Sequence, residues 1–178
     1  MNEIQLLIEA INNNHLWERD LEIRRNEYVN VKGSIDTNLY FIKSGSLRIY
    51  VNNTHEEHTI RFGYKNNLIA SLDSFISEKP SDFYIQALKK TQLKVISKKN
   101  FNALINATPK MLQAWIKTLE QLTLQQLERE KDILTSSPIE RYNRVFTRNP
   151  QLFQEIPDKY IAHYLRMAPE TLSRIKKS

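Results

Sequence analysis

The chain has 178 residues, 40% of them hydrophobic and 26% charged, with a formal charge of +6; that describes a folded globular protein, not a disordered one. Cysteine is absent, which excludes a disulfide framework, a thiolate nucleophile and any Cys-ligated zinc, haem or iron–sulfur centre. The charge is uneven: residues 1–110 hold 15 Lys/Arg against 12 Asp/Glu, residues 111–136 hold 3 against 4, and residues 137–178 hold 8 against 4, so the last segment is the most positive per residue.

The opening MNEIQLLIEAINNN has no basic lead-in to a long apolar run, so it does not read as a signal peptide. No stretch approaches the roughly 18 apolar residues of a membrane span. With the missing cysteines, a cytoplasmic location and no membrane partner are expected. From about Glu27 to Ser97 the pattern is short strands and turns. Leu39–Ile42 is followed by Lys43-Ser44-Gly45-Ser46, a tight hairpin, and then Leu47, Ile49 and Val51 alternate with Arg48, Tyr50 and Asn52. Period two predicts a strand with one buried face. Thr59–Phe62, Tyr84–Ala87 and Gln92–Ser97 continue the series, and all three glycines (Gly33, Gly45, Gly63) fall in it, where turns are expected. A small β-barrel or sandwich over 1–110, with flanking helices, is the expectation. His55 and His58 flank Glu56-Glu57 at a spacing that could chelate a metal, but such a pair is more often a solvated turn, and no metal or cofactor is expected.

From about Lys99 the period changes. Leu112, Trp115 or Ile116, Leu119, Leu122, Gln126, Arg129 and Ile133 trace a three-four spacing, and no Gly or Pro interrupts 111–134. A helix of some twenty-five residues spans about 37 Å, and its apolar stripe frays into Gln, Glu and Arg in the second half. It reads either as one core helix of a mixed domain or as a dimerisation helix over 111–136 in a coiled-coil seam.

Ser136-Ser137-Pro138 breaks the chain and restarts it, with Ser137 as cap and Pro138 as first helical residue. A helix from Ile139 to Phe146 follows, then a short turn at Leu152–Gln154. Ile156–Leu165 and Pro169–Lys177 come last, joined by about three residues. Two short helices so joined, the second rich in small polar and basic groups, form the helix-turn-helix pattern. Ile161, Leu165, Leu172 and Ile175 are spaced to bury one face. Glu170, Thr171, Ser173, Arg174 and Lys177 are left outward, with Lys176 and Lys159 adding positive charge. Arg can bond guanine bidentately, Glu can accept from cytosine, and Ser or Thr can reach phosphate.

The string Ile161-Ala162-His163-Tyr164-Leu165 followed by Glu170-Thr171-Leu172-Ser173-Arg174 closely resembles the helix-turn-helix signature of the Crp/Fnr family of transcription regulators, and Leu39–Tyr50 is similar to that family's second and third barrel strands. The resemblance covers about residues 25–177. It implies an α+β chain: a jelly-roll barrel like a cyclic-nucleotide-binding domain, a long dimerisation helix, and a helix-turn-helix domain over 137–178. It also implies double-stranded DNA as partner, a homodimer through 111–136, and RNA polymerase as a further possible contact. By resemblance Glu170, Ser173 and Arg174 match base-reading positions and Thr171 a phosphate contact. Pro169 stands where some members carry another base-reading Arg, and Arg166 where the family has its turn glycine. A left-handed backbone there would cost a non-Gly residue about 1 kcal/mol; otherwise the turn differs, or Arg166 contacts phosphate. No residues follow for the β-wing that often comes next, so a full wing is expected to be lacking.

Members that bind cyclic AMP cradle its phosphate with Gly-Glu and Arg-Ser or Arg-Thr pairs. Here Ala70 and Ser71 replace the first pair and Ser81 and Asp82 the second, so the effector pocket reads as degenerate and cyclic AMP is not an expected ligand. The effector is another small molecule or none. No catalytic motif occurs, so no enzyme activity is expected. The rival reading is a small-molecule-binding barrel whose C-terminal helices mediate protein interaction.

Overall fold

Residues 2–53 and 56–177 are described by the structure, a computed structural model; His55 of the histidine pair weighed above lies outside them. The first helix, α1 (Glu3–Asn13), is started by Asn2: its side chain accepts the Gln5 N–H while the Gln5 side chain accepts the Asn2 N–H. This reciprocal capping satisfies two end donors and sets Leu7, Ile8 and Ile11 inward.

Among the described residues eight strands follow, broken by one short helix: β1 (Arg19–Ile23), β2 (Tyr28–Asn30), β3 (Asn38–Ser44), β4 (Ser46–Asn52), β5 (Glu57–Tyr64), β6 (Leu68–Ile69), α2 (Leu72–Ser77), β7 (Tyr84–Ala87) and β8 (Thr91–Ser97). They make two antiparallel four-stranded sheets, β1-β8-β3-β6 and β2-β7-β4-β5, the jelly-roll expected. Tyr40, Ile42, Leu47, Ile49, Ile85, Leu93 and Val95 fill the space between them. The β3–β4 hairpin turns at Gly45, at φ +96°, where a Cβ would sit 2.5 Å from the Thr91 Cα; no side chain fits there.

Two expectations for this region need correction. Gly63 is not a turn residue: it lies inside β5, where a Cβ would meet the Ile42 and Ile69 side chains at 2.8 Å. Nor is β4 buried on one face only, because Ser46, Leu47, Arg48, Ile49 and Tyr50 are all buried. Arg48 is accommodated on the outer face by Gln86, at 2.9 and 2.6 Å, and by Glu57 at 2.6 Å.

After α3 (Lys98–Ile105) comes the long helix α4 (Pro109–Leu134). Thr108 caps it by accepting the Met111 N–H, and Pro109 occupies the first turn, so it begins slightly earlier than expected. The single fraying stripe read from the sequence is two opposed faces. Ala114, Trp115 and Thr118 pack inward against α1, α3 and α2, with the Trp115 and Phe101 rings 5.0 Å apart edge-on. Leu112, Ile116, Leu124, Leu127 and Leu134 are exposed.

The remaining helices are α5 (Pro138–Arg148), α6 (Leu152–Glu155), α7 (Asp158–Tyr164) and α8 (Pro169–Lys177). Ser137 caps α5, accepting the Glu140 N–H. Val145, Leu152, Ile156, Ile161, Ala162, Leu165 and Leu172 form one core, completed by Tyr64 and Leu88 of the barrel. The helical unit thus docks on β5 rather than hanging free. The Tyr64 hydroxyl donates to Asn149 at 2.9 Å, and Lys89 pairs with Glu155 at 3.1 Å. No described helix is long and apolar enough to cross a membrane.

Candidate nucleic-acid interface and sensor cavity

Helices α7 and α8 cross on Ile161, Ala162, Leu165 and Leu172, each no more than 1% exposed. Burying a Leu or Ile side chain stabilises by about 1.5–3 kcal/mol, and Ala162 lets the helices approach closely. On α8, residues 170, 173, 174 and 177 project within about a third of a turn of one another at 100° per residue, opposite the buried Leu172. Glu170, Ser173, Arg174 and Lys177 are exposed, as are Pro169, Lys159 and Arg166, while Thr171 is half-buried. Lys176 differs: its Nζ lies 2.8 Å from both carboxylate oxygens of Asp158 at the start of α7, so it is already paired.

The turn is left-handed at Arg166, with φ 52°. The Met167 N–H bonds the Ala162 carbonyl at 3.0 Å and the Arg166 N–H bonds that of His163 at 3.1 Å, the two bonds of a Schellman termination. Arg166 therefore takes the place of the favoured glycine. Two arginines secure the turn from outside. Arg141 donates to the Leu165 carbonyl at 2.8 Å and the Arg166 carbonyl at 3.1 Å. Arg129 of α4 donates to the Tyr164 carbonyl at 2.5 Å, with its guanidinium 3.6 Å from the Tyr164 ring centroid.

This explains the polar second half of α4. Asp132, fully buried, accepts from Arg144 at 3.0 Å and from Arg148, and Glu128 accepts from Arg144 at 2.9 Å. Buried ion pairs of this kind fix geometry more than they add stability. The helix that looks frayed as a sequence is the mount for the helical unit.

In the barrel, the four degenerate positions part company. Ala70 lines a cavity of about 670 Å³ between the sheets, α2 and α4. Ser71 and Ser81 are sealed inward, their hydroxyls 2.8 Å apart. The carboxylate of Asp73 accepts from Ser71 Oγ (3.3 Å), Ser81 Oγ (3.0 Å) and the backbone N–H groups of Ser74 (2.8 Å) and Asp82 (2.9 Å). Asn30 adds a bond to Ser71 at 3.1 Å. The Asp82 side chain points to solvent, 3.6 Å from Lys32. The sequence singles out Asp82 as the anion-repelling group, but the carboxylate that the Ser71 and Ser81 hydroxyls and the Asp82 N–H meet is that of Asp73.

The cavity is lined mostly by aliphatic and aromatic side chains, with Ser77, Thr118 and Gln126 as neutral polar lining residues, and with Arg61 its one basic and Asp73 its one acidic lining residue among those described. Neither Asp73 nor Arg61 is singled out by sequence motifs. The signal for Arg61 is a cation on an otherwise apolar strand face, visible only once it is known to pair with Ile49. Among the described residues, no group of three or more His, Cys, Asp or Glu is placed to hold a metal ion, and His58 lies 3.9 Å from Glu56.

A protein-family model for the cyclic nucleotide-binding domain matches residues 20–108, half of the chain. The chain belongs to the cyclic nucleotide-binding domain family. Its whole architecture of barrel, long helix and terminal helical unit is that of the Crp/Fnr regulators. A CooA variant from Carboxydothermus hydrogenoformans superposes with a TM-score of 0.75 at 16% identity, covering 99% of this chain and 83% of that one. FixK2 from Bradyrhizobium japonicum gives 0.72 at 14%, covering 89% and 82%. The catabolite activator protein of Thermus thermophilus gives 0.57 at 20%, covering 98% and 81%. A search of curated proteins finds no significant match.

Proposed function

We propose that this chain is a DNA-binding transcription regulator of the Crp/Fnr type that acts as a homodimer and does not answer to cyclic AMP. The observation that carries the reading is the α8 face: Glu170, Ser173, Arg174 and Lys177 exposed together on a helix whose other side is anchored in a core. Arg174 reads a base edge, Glu170 and Ser173 contact neighbouring bases or phosphates, and Thr171, Lys159 and Arg166 meet the backbone. Pro169 starts the helix without a base contact. Catalysis has no place in this reading.

The exposed apolar face of α4, through Leu112, Ile116 and Leu127, supports pairing of two copies along that helix. A twofold dimer would present its two α8 helices to half-sites about 34 Å apart. Selection of bound sites from random duplex tests the reading. A palindrome with half-sites about one helical turn apart is the expected outcome, and failure to enrich any sequence, even at low salt, would favour a protein-interaction role for the C-terminal helices. The reading leaves cyclic AMP out as effector, supported by the Asp73 carboxylate taking the Ser71, Ser81 and Asp82 donors that a phosphate would need; micromolar cyclic-AMP binding by calorimetry would overturn that.

A further inference from the structure

Helix α7 ends at Tyr164, and the chain turns at Arg166 into α8. The last carbonyls of a helix have no partner within it. Here the N–H groups of the turn meet those of Ile161, Ala162 and His163. The carbonyls of Tyr164, Leu165 and Arg166 are met by two arginines from outside. Arg129 of α4 donates to Tyr164, and Arg141 of α5 donates through Nε to Leu165 and through Nη2 to Arg166.

Arg141 reaches a second helix end at the same time. Its Nη1 donates to the carbonyls of Thr135 and Ser136, at 2.6 and 2.9 Å. Thr135 is the C-cap of α4, and Ser136 lies in the link from α4 to α5. One guanidinium thus sits where the C-terminal ends of α4 and α7 meet, and each end carries partial negative charge. All four partners are main-chain carbonyls, so no acceptor can rotate away. A guanidinium is planar, with its donors in a rigid fork, and it therefore holds the two pairs of carbonyls at a set angle.

Arg129 makes the second joint. It is buried, and its guanidinium lies over the Tyr164 ring. The barrel also touches α7, through Phe62 against Tyr164 and Arg48 over Tyr160. Those are ring contacts that allow sliding. Hydrogen bonds to carbonyls weaken steeply when misaligned, so they fix direction as well as place.

We infer that Arg141, assisted by Arg129, is a positioning residue that fixes the angle of α8 against α4. Where α4 pairs two copies, that angle sets the separation and orientation of the two α8 helices, so Arg141 also governs selectivity for one half-site spacing. This second step rests on the DNA-binding reading of α8; the first does not.

The mount is tested without DNA. The chain has no cysteine, so Lys117→Cys on α4 and Ser173→Cys on α8, both at exposed positions, carry two spin labels without interference. Dilution with unlabelled chain leaves only distances within one chain. A single narrow distance distribution is expected with Arg141 in place, and Arg141→Gln should widen it to about twice the width. Arg141→Lys should widen it nearly as much, because an ammonium lacks the fork that spans both carbonyl pairs. Cooperative thermal unfolding shows that the variant keeps its fold; should Arg141→Gln fail that check, Arg141→Lys carries the same comparison. An unchanged distribution in a folded variant would overturn the inference.

The spacing step is read on duplexes with the selected half-sites at the selected spacing, or one base pair longer or shorter. One base pair turns a half-site by about 34° around the duplex. The wild type should prefer the selected spacing at least about tenfold, and Arg141→Gln should lower that preference to about threefold or less. Affinity for a duplex with a single half-site should change less than about twofold, since the α8 face is untouched. Equal spacing preference in both chains, or an equal loss on the single half-site, would overturn the spacing role. If the wild type binds no duplex while the distance distribution widens as expected, the DNA-binding reading falls and the positioning of α8 by Arg141 stands.

Discussion

The two polar clusters of this molecule are built on opposite principles. Around Asp73 every donor finds an acceptor inside the protein: Ser71, Ser81, Ser74 and Asp82 all point to one carboxylate. On α8 the polar groups of Glu170, Ser173, Arg174 and Lys177 are exposed and none forms an ion pair with a described residue. A cluster that satisfies itself has no remaining use for an external anion, because displacing its internal carboxylate forfeits bonds already made. A cluster held open on a rigid core is available to a partner. The difference separates a cluster that has closed on itself from one that is held open.

The sharpest way to break that comparison is to remove the internal anion. Asp73→Ala removes the acceptor shared by the Ser71 and Ser81 hydroxyls and the Ser74 and Asp82 N–H groups, and a hydrogen bond to a charged group contributes about 1.5–3 kcal/mol. A loss of at least about 2 kcal/mol in denaturant unfolding is expected. Added inorganic phosphate should raise the melting temperature of the variant and not of the wild type, since only the variant has empty donors. Equal stabilisation of both would mean that Asp73 does not occupy an anion site.

Arg174→Ala tests the open side. It should cost on the order of 1–3 kcal/mol of discrimination between the selected operator and random duplex, while affinity for random duplex changes little. Equal losses on both duplexes would reduce Arg174 to a phosphate contact and leave α8 without its main base reader.

The barrel strands are legible because hairpin chemistry and alternation agree: Gly45 at φ +96° divides β3 from β4 where the sequence shows Lys43-Ser44-Gly45-Ser46. The early strands β1 and β2 are not, because their residues are largely exposed or half-buried and β1 takes its order from β8 across some seventy positions. Gly63 misleads because composition places glycine in turns, whereas here it yields room to Ile42 and Ile69. The α7 and α8 pair is legible because its core spacing and polar face are local. Asp73 is hidden because its partners come from α2, from the following loop and, through Asn30, from a strand forty-one residues before Ser71. Letter-by-letter comparison with a cyclic-nucleotide cradle draws attention to Asp82, which points outward. The second half of α4 is hidden for a similar reason: Arg129 and Asp132 look like surface residues until α5 and α7 supply their partners.

Arg166 joins the two principles in one residue, since its carbonyl is held by Arg141 while its side chain is exposed. Arg166→Gly relieves a left-handed non-glycine residue and should stabilise the chain by about 1 kcal/mol, partly offset by the greater freedom of glycine in the unfolded chain. The same change removes a cation beside α8, so affinity for all duplexes should fall modestly. A variant that is less stable would show that the arginine side chain, not the backbone, sets the turn.

The smallest expected effect separates two adjacent lysines. Lys176 is held by Asp158 at 2.8 Å, whereas Lys177 is exposed beside Arg174 on the outward face. An exposed ion pair contributes about 0–1 kcal/mol, so Lys176→Ala should lower stability slightly and leave the salt dependence of DNA binding nearly unchanged. Lys177→Ala should leave stability nearly unchanged, apart from a few tenths of a kcal/mol lost at the helix C-terminus. It should also reduce the slope of log affinity against log salt by about one. If the two variants exchange these outcomes, the Asp158 pair opens when DNA binds and Lys176 is the phosphate contact. The outward face of α8 would then extend toward the start of α7, and Lys159 would become the next residue to substitute.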